Sequence, residues 1–326
     1  MESNLKVIVL GSGNSGSGAV YDYLALRPDF SAPLKQEFRL IQDPGGIMDL
    51  HAALVFGFHV NRANAALKNF IDLCKRCGKE KTKFQLGLSY NKNLNHFEKN
   101  VNDYIKAITA VEYKGMPFCE SSKLTALQTF MYRKRLEWAK KRGSKIQYGE
   151  VYLPVTETTF LKETEQFLKN IFDIHKIGTQ NNMNIAIDQG GTFWQPARST
   201  RYYGKNSKTV VVTRDPRGVF SSFKTKGRAY PGQGVKLFCD WYREMMKHVD
   251  YSQWEDVNVL HLKFEDFVLD FDRQKKKLDD FLGISTEVES SVDIKQSAFN
   301  AKKFKGRLTD EELRIIKSEL KDFLQF

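Results

Sequence analysis

Cysteine is scarce in this sequence: Cys74, Cys77, Cys119 and Cys239 are the four in 326 residues. That is too few for the disulfide framework that staples small secreted folds. Cys74-Lys-Arg-Cys77 has the spacing of a redox or zinc pair, yet no second pair matches it, so no metal and no thiol chemistry are expected. Long apolar runs are also missing. Nothing approaches the roughly 20 residues that span a bilayer, and the chain enters a strand-like run by Leu5 with no signal-peptide core. The expectation is a cytoplasmic protein without a membrane span. An acidic excess is absent too, because 51 Lys and Arg against 39 Asp and Glu leave +12 with histidine neutral. Such a balance favours anionic partners such as nucleotides or acidic glycans. Much of the excess falls on plausible solvated helix faces, so nucleic acid is not the expected partner.

No low-complexity tract or internal repeat appears, and 41% hydrophobic with 28% charged residues is ordinary globular composition. A chain of this length can bury about 75% of its unfolded surface, as one large α/β domain or two smaller ones.

The chain is organised around its first twenty-odd residues. The β-branched run Leu5-Lys-Val-Ile-Val-Leu10 leads into Gly11-Ser-Gly-Asn-Ser-Gly-Ser-Gly18, and Val20, Tyr23, Leu24 and Arg27 then recur at helical intervals. Strand, glycine loop and helix together make an anion cradle. Glycines let the backbone approach the ligand closely, the free amides of the helix start point at it, and Ser12, Ser15 and Ser17 can add hydroxyl donors. A Walker A loop would carry lysine after its last glycine, whereas Ser17 follows Gly16 here; Gly11-x-Gly13-x-x-Gly16 also matches the dinucleotide fingerprint.

Farther along, Glu37-Phe-Arg-Leu-Ile41 reads as a second strand with Glu37 and Arg39 on one face, and Pro44 is placed to open a helix through Leu54. Residues from about 58 to 182 carry amphipathic helical patterns joined by Lys/Gly/Asn-rich turns, which predicts a helical insert. Its aromatic residues Tyr104, Tyr113, Tyr132, Trp138, Tyr148 and Tyr152 could stack on an acceptor or simply fill a core. The α/β pattern returns with Asn184-Ile-Ala-Ile-Asp188 and with Lys208-Thr-Val-Val-Val-Thr213, which stops at Arg214-Asp-Pro-Arg-Gly218 before a helical period. A short strand around Val257–Leu262, a helix ending at Gly283, the basic stretch Lys302–Arg307 and a capping box Thr309-x-x-Glu312 complete the pattern. The predicted fold class is α/β, a doubly wound, mostly parallel sheet forming one domain over 1–326 with the helical insert at about 58–182.

Taken in order, these pieces resemble PAPS-dependent sulfotransferases, α/β proteins of the P-loop NTPase-like type. Arg214-Asp-Pro followed by Ser222 resembles their 3′-phosphate segment, and the glycine loop resembles their 5′-phosphosulfate loop. Lys305-Gly306-Arg307, Val259–Phe267 and Phe281-Leu-Gly283 are similar to late segments of the carbohydrate-type members. Pro33-Leu-Lys-Gln-Glu37-Phe38 is similar to the strand bearing the catalytic glutamate of the heparan-type enzymes. The resemblance implies PAPS as co-substrate, bound by Gly13, Asn14, Ser15, Gly16, Ser17, Gly18, Arg214, Ser222, Lys305, Gly306 and Arg307. It implies sulfuryl transfer to a hydroxyl or amine of a glycan or hydroxylated small molecule, with the insert contributing to the acceptor site. Glu37 would be the base, with Asp188 and Asp43, then His51 and His59, in reserve.

One departure stands out. The family places a lysine, sometimes an arginine, where this loop has Asn14, so Lys35 or Arg39 would have to bring the missing cation. The alternatives are a P-loop nucleotide kinase, an NAD-binding oxidoreductase with an acid such as Glu37 on the ribose, or a non-catalytic basic module retaining a degenerate nucleotide site.

Overall fold

The computed structural model describes residues 4–143, 148–173, 183–226 and 230–325. Lys6–Gly11 forms strand β1 and Ser17–Ala25 helix α1. The following strand, β2, is only Phe30–Ser31. Glu37–Ile41, expected as a strand, is irregular. Its apolar residues Phe38, Leu40 and Ile41 are nonetheless fully buried, Phe38 N donates to Asp188 O at 2.7 Å, and Glu37 pairs with Arg39 instead of entering a ladder. Burial here does not require strand pairing.

Next come α2 (Ile47–Val55), α3 (Val60–Gly78), β3 (Lys81–Thr82), β4 (Gln85–Leu86), α4 (Tyr90–Asn93) and α5 (Phe97–Ala107). β5 (Thr109–Gly115), α6 (Phe118–Ser121), α7 (Ala126–Arg142), β6 (Gly149–Pro154) and α8 (Glu157–Ile171) follow. Helical periodicity predicts only helices over 58–182. The structure adds two antiparallel ribbons there, β3 with β4 and β5 with β6, while 144–147 and 174–182 lie outside the described residues.

The chain divides into two compact units, Met1–Ile41 with Lys92–Asn95 and Leu168–Phe326, and Gln42–Asn91 with His96–Phe167. Within the second unit the core is aromatic. Phe70 meets Tyr104 edge-on at 5.6 Å, and Tyr104 stacks on Phe167 at 4.5 Å. Tyr104 is therefore a core residue rather than a stacking platform for a ligand. His51 is also core, stacked on Phe160 and bonded to Glu157 Oε1 at 3.0 Å. His59 caps α3 by accepting from Asn61 N. Cys74 and Cys77 are buried free thiols one turn apart on α3, with Cys74 pushed to a higher pKa by burial and then by Cys77. No cluster of three or more metal-ligating side chains occurs among the described residues.

The first unit continues with β7 (Asn184–Asp188), α9 (Pro196–Thr200), β8 (Ser207–Thr213), α10 (Pro216–Lys226), α11 (Val235–Lys247) and β9 (Val259–Lys263). Helices α12 (Phe264–Leu269), α13 (Phe271–Leu282), α14 (Ile294–Lys302) and α15 (Asp310–Glu319) end it. Among the described residues, its sheet runs β2-β7-β1-β8-β9 with every pairing parallel. Val210 and Val212 enter one core with α1, α12 and α13, whereas Val211 enters another with α10, α11 and α15. Successive side chains of a strand point to opposite faces, so helices cover both sides and the sheet is doubly wound. Thr309 and Glu312 make the capping box expected for α15, and Gly283 ends α13 in the left-handed conformation. Because β7 separates β1 from β2, the order departs from the dinucleotide-binding arrangement, in which strand two lies next to strand one. That order gives the NAD reading no support.

One buried cluster fastens α1 to the C-terminal third of the unit. Arg27, 2% exposed, donates to Asp29 Oδ1 and Oδ2 at 2.9 and 2.8 Å, to Tyr23 Oη at 2.8 Å, and to the carbonyls of Ser285 and Val288. Tyr23 Oη donates in turn to Asp279. Removing one member leaves the others buried without their charge partner, so Arg27→Ala is expected to cost about 3–5 kcal/mol. The check is the midpoint of urea unfolding, which should fall with an unchanged slope.

Candidate active site

In a parallel sheet all carboxyl ends lie on one edge, and ligands gather where neighbouring connections leave toward opposite faces. β1 is flanked here by β7 and β8, with Val9 beside Asp188 and Gly11 beside Val212. The loop after β1, the end of β7 and the turn after β8 therefore share one edge. They enclose a cavity of about 520 Å³ lined by Gly13, Asn14, Gly16, Ser17, Gly18, Glu37, Asp188, Gln189, Arg214, Ser221, Ser222, Thr225, Asn300, Lys303 and Arg307.

The glycine loop turns through left-handed backbone at Gly13, Asn14 and Gly16, with φ of 88°, 50° and 82°. At Gly16 a side chain is doubly excluded, since an added Cβ would also lie 2.3 Å from the Phe264 ring. Gly16 is the N-cap of α1 and no side chain caps that helix. Ala19 N donates back to Gly16 O at 3.0 Å, while Gly16, Ser17 and Gly18, at the positive end of the helix dipole, line the cavity. Gln189 braces the loop, accepting from Gly11 N at 3.4 Å and donating to Ser17 Oγ at 3.2 Å. Ser15 Oγ is fully buried with no hydrogen-bond partner among the described residues.

Arg214 ties three segments together. Its Nη1 donates to Asn14 O at 3.2 Å and to Ser222 Oγ at 3.3 Å, and its Nη2 donates to Asn300 O at 2.9 Å. The guanidinium lies over the Phe264 ring at 4.8 Å. An added Cβ at Gly218 would lie 2.7 Å from Nε, so glycine is what lets the side chain cross the start of α10. Nε is buried, 3.9 Å from Glu265 Oε1 and without a hydrogen-bond partner among the described residues. Burial lowers the pKa of Arg214, against the opposing pull of Glu265 and Asp215. Burial also raises Glu265 to about 7. Asp215 works structurally: it binds Arg217 through Nε and Nη2 at 2.8 and 2.7 Å, and it accepts from Gln325 N at 3.0 Å.

Two carboxylates line the same cavity. Glu37, half-exposed, is paired with Arg39. Asp188 sits deeper, with Oδ1 buried and unpartnered among the described residues. Burial, then the charge of Glu37, then that of Asp22 push Asp188 up to about 7.

Of the residues singled out in the sequence, the glycine loop, Asn14, Glu37, Arg214, Ser222 and Arg307 come together. Lys35, Lys305 and Gly306 do not line the cavity and are exposed. The reason is local: Lys303–Gly306 is a 3-10 turn anchored by buried Phe304, which directs Lys303 and Arg307 to the cavity and leaves Lys305 outside. Asp43, His51 and His59 belong to the second unit. Sequence reasoning missed Gln189, Asn300 and Lys303, although Gln189 follows a strand whose carboxyl end was legible as a site edge.

Residues 199–324 match the model of a protein family described as the sulfotransferase domain. Over these residues the chain is similar to the sulfotransferase domain. Arg214, Ser222, Lys303 and Arg307 fall within the matched residues, and the glycine loop precedes them. Similar solved structures include the sulfotransferase domain from the curacin biosynthetic pathway, 16% identical over 98% of this chain and 98% of that one, with a TM-score of 0.42. Another is the sulfotransferase domain from the Synechococcus PCC 7002 olefin synthase, 14% identical over 96% and 93%, TM-score 0.40. A third is retinol dehydratase in complex with androsterone and inactive cofactor PAP, 15% identical over 98% and 80%, TM-score 0.35. No curated protein matches the chain. No described helix is long and apolar enough to cross a membrane.

Proposed function

We propose that this chain transfers a sulfuryl group from PAPS to a hydroxyl or amine of a glycan or other small hydroxylated acceptor. The observation that carries the reading is the convergence of an amide cradle and a buried guanidinium on one cavity, with the Arg214 side chain bonded to Asn14 O in the loop itself. The residues fit such a nucleotide. Ser15 Oγ and Arg214 Nε are buried donors without partners among the described residues, and Arg214, Lys303 and Arg307 supply cations along the lining.

In this reading the loop amides with Ser15 and Ser17 hold the phosphosulfate end, and Arg214 with Ser222 grips the ribose 3′-phosphate. Lys303 and Arg307 hold the nucleotide from the C-terminal side, a role the sequence gives to Lys305, Gly306 and Arg307. PAPS supplies the activated sulfuryl group. Neither Lys35 nor Arg39, the residues proposed to replace the loop lysine, lines the cavity. Negative charge developing at the loop would therefore be met by main-chain amides, the α1 dipole and the Asn14 side chain, which are fixed dipoles and need no reorganisation.

For the proton acceptor, the sequence assignment is Glu37. Burial, an Oδ1 without a partner among the described residues and a pKa near 7 favour Asp188, with Glu37 as the neighbouring charge that keeps the proton affinity of Asp188 high. Glu37 itself is engaged by Arg39.

A thermal-shift and calorimetric comparison of PAP, ATP and NAD tests the donor class. PAP at about 100 times its Kd should stabilise the protein by about 2.7 kcal/mol. Larger stabilisation by ATP or NAD would overturn the reading, as would failure to transfer label from PAPS to any acceptor hydroxyl in a protein that binds PAP, which would favour a non-catalytic module.

A further inference from the structure

The second unit carries a surface feature that nucleotide chemistry does not use. Helix α7 starts at a capping box, Thr125 with Gln128, and ends at left-handed Gly143. It is well built at both ends, yet among its described residues Ala139 alone is fully buried. The packing face is Thr129, Tyr132, Leu136 and Ala139. At 100° per residue, Leu127, Phe130, Met131 and Trp138 form one stripe on the opposite side. They are 68, 58, 45 and 57% exposed. Four large apolar side chains aligned away from the core are unlike the single exposed residues that any surface carries.

Charge decides what would cover them. Helix α7 has six basic residues, Arg133, Lys134, Arg135, Lys140, Lys141 and Arg142, against Glu137 alone, a net +5. The whole second unit has 19 Lys and Arg against 13 Asp and Glu, a net +6, so nearly all of its excess sits on this helix. Lys134 and Lys141 lie within the apolar stripe and Arg135 and Arg142 beside it; Lys134 lies over the Phe130 ring at 5.9 Å and Arg142 over the Trp138 ring at 3.9 Å. A second copy of the chain would bring the same cations face to face, since a two-fold contact pairs a patch with itself. An anionic surface neutralises them. The same unit exposes another apolar tip: Phe84 and Leu86, 94 and 92% exposed, on the β3–β4 hairpin with Lys81 and Lys83.

We propose that α7 is a docking helix for an anionic phospholipid surface, lying in the headgroup plane with Leu127, Phe130, Met131 and Trp138 inserted and its lysines and arginines on the lipid phosphates. At such a surface apolar burial and attraction to acidic lipid would act together. The inference does not depend on the identity of the donor nucleotide.

The test is partitioning of the full chain onto phosphatidylcholine vesicles with and without about 30 mol% phosphatidylserine, followed by sedimentation and tryptophan emission. Phosphatidylserine vesicles should bind about 100-fold more tightly, with a blue shift that disappears in Trp138→Phe. The combined change Lys134→Gln, Arg135→Gln, Lys141→Gln, Arg142→Gln should remove the preference, and Phe130→Ser with Trp138→Ser should weaken binding about tenfold or more at unchanged salt dependence. All these positions are exposed, so unaltered melting and PAP binding verify that each variant is folded. Equal affinity for both vesicles overturns the proposal. So does a dimer lost in the Phe130→Ser, Trp138→Ser variant without vesicle binding, or binding to soluble polyglutamate but not to vesicles; these outcomes assign the helix to a second copy or an acidic protein.

Discussion

Arg214→Ala is expected to weaken PAP binding by about 100-fold, within the roughly 2–5 kcal/mol typical of truncating a buried, hydrogen-bonded charge pair. The free protein should be much less affected. The guanidinium is already held in a partly unsatisfied state, with Nε unpartnered among the described residues and its pKa lowered by burial. Its neighbour Glu265 already has a pKa near 7 and can take up a proton once the arginine is gone. Calorimetry with PAP and a melting curve of the free protein together separate the two effects. Arg214→Lys should recover only part of the affinity, because an ammonium lacks the planar fork that reaches a phosphate, Ser222 and the loop carbonyl together. Unchanged affinity in Arg214→Ala would remove the second anion site and the PAPS reading with it.

Asp188→Asn is expected to lower kcat by about 10²–10⁴-fold while PAP still binds, the range for loss of a general base. Glu37→Gln should keep most turnover. The sign of the pH dependence follows from the elevated pKa: a base must be ionised, so kcat/KM should rise through about pH 7 and level off above it. Because the charge of Glu37 is the second cause of that elevation, Glu37→Gln should move the rise to lower pH. Stability should run the other way. The folded protein holds the Asp188 proton up to about pH 7, whereas the unfolded chain releases it near the ordinary 3.8. This group therefore contributes stability at low pH that is lost between those values. Asp188→Asn should flatten that decline and raise the melting temperature at pH 8. If instead Glu37→Gln abolishes turnover and Asp188→Asn does not, the base returns to Glu37.

Where the sequence was legible, local chemistry was sufficient. β1, β7 and β8 announce themselves as β-branched runs that stop at glycine or at Arg214-Asp215-Pro216, and each is a strand within a residue or so of its expected bounds. The capping box at Thr309 and the glycine end at Gly283 are equally local signals. The Glu37–Ile41 segment misled for a physical reason. Its alternation of charged and apolar residues is what a half-buried strand requires, but it is also what an irregular segment shows when Phe38, Leu40 and Ile41 turn inward and Glu37 pairs with Arg39. Only a neighbouring strand could have decided between them, and β2 takes the position beside β7 instead.

By itself the sequence determined the backbone devices of this protein: a glycine loop at a strand end, a second strand stopping at a lone arginine, and the order of the elements between them. Tertiary structure alone decided which side chains meet there. Asn300 reaches Arg214 across 86 positions of chain, Lys303 rather than Lys305 lines the cavity, and Asp188 acquires its proton affinity from burial beside Glu37. Backbone preference is set by a residue and its immediate neighbours, whereas lining, burial and protonation depend on groups that only folding brings within a few ångströms.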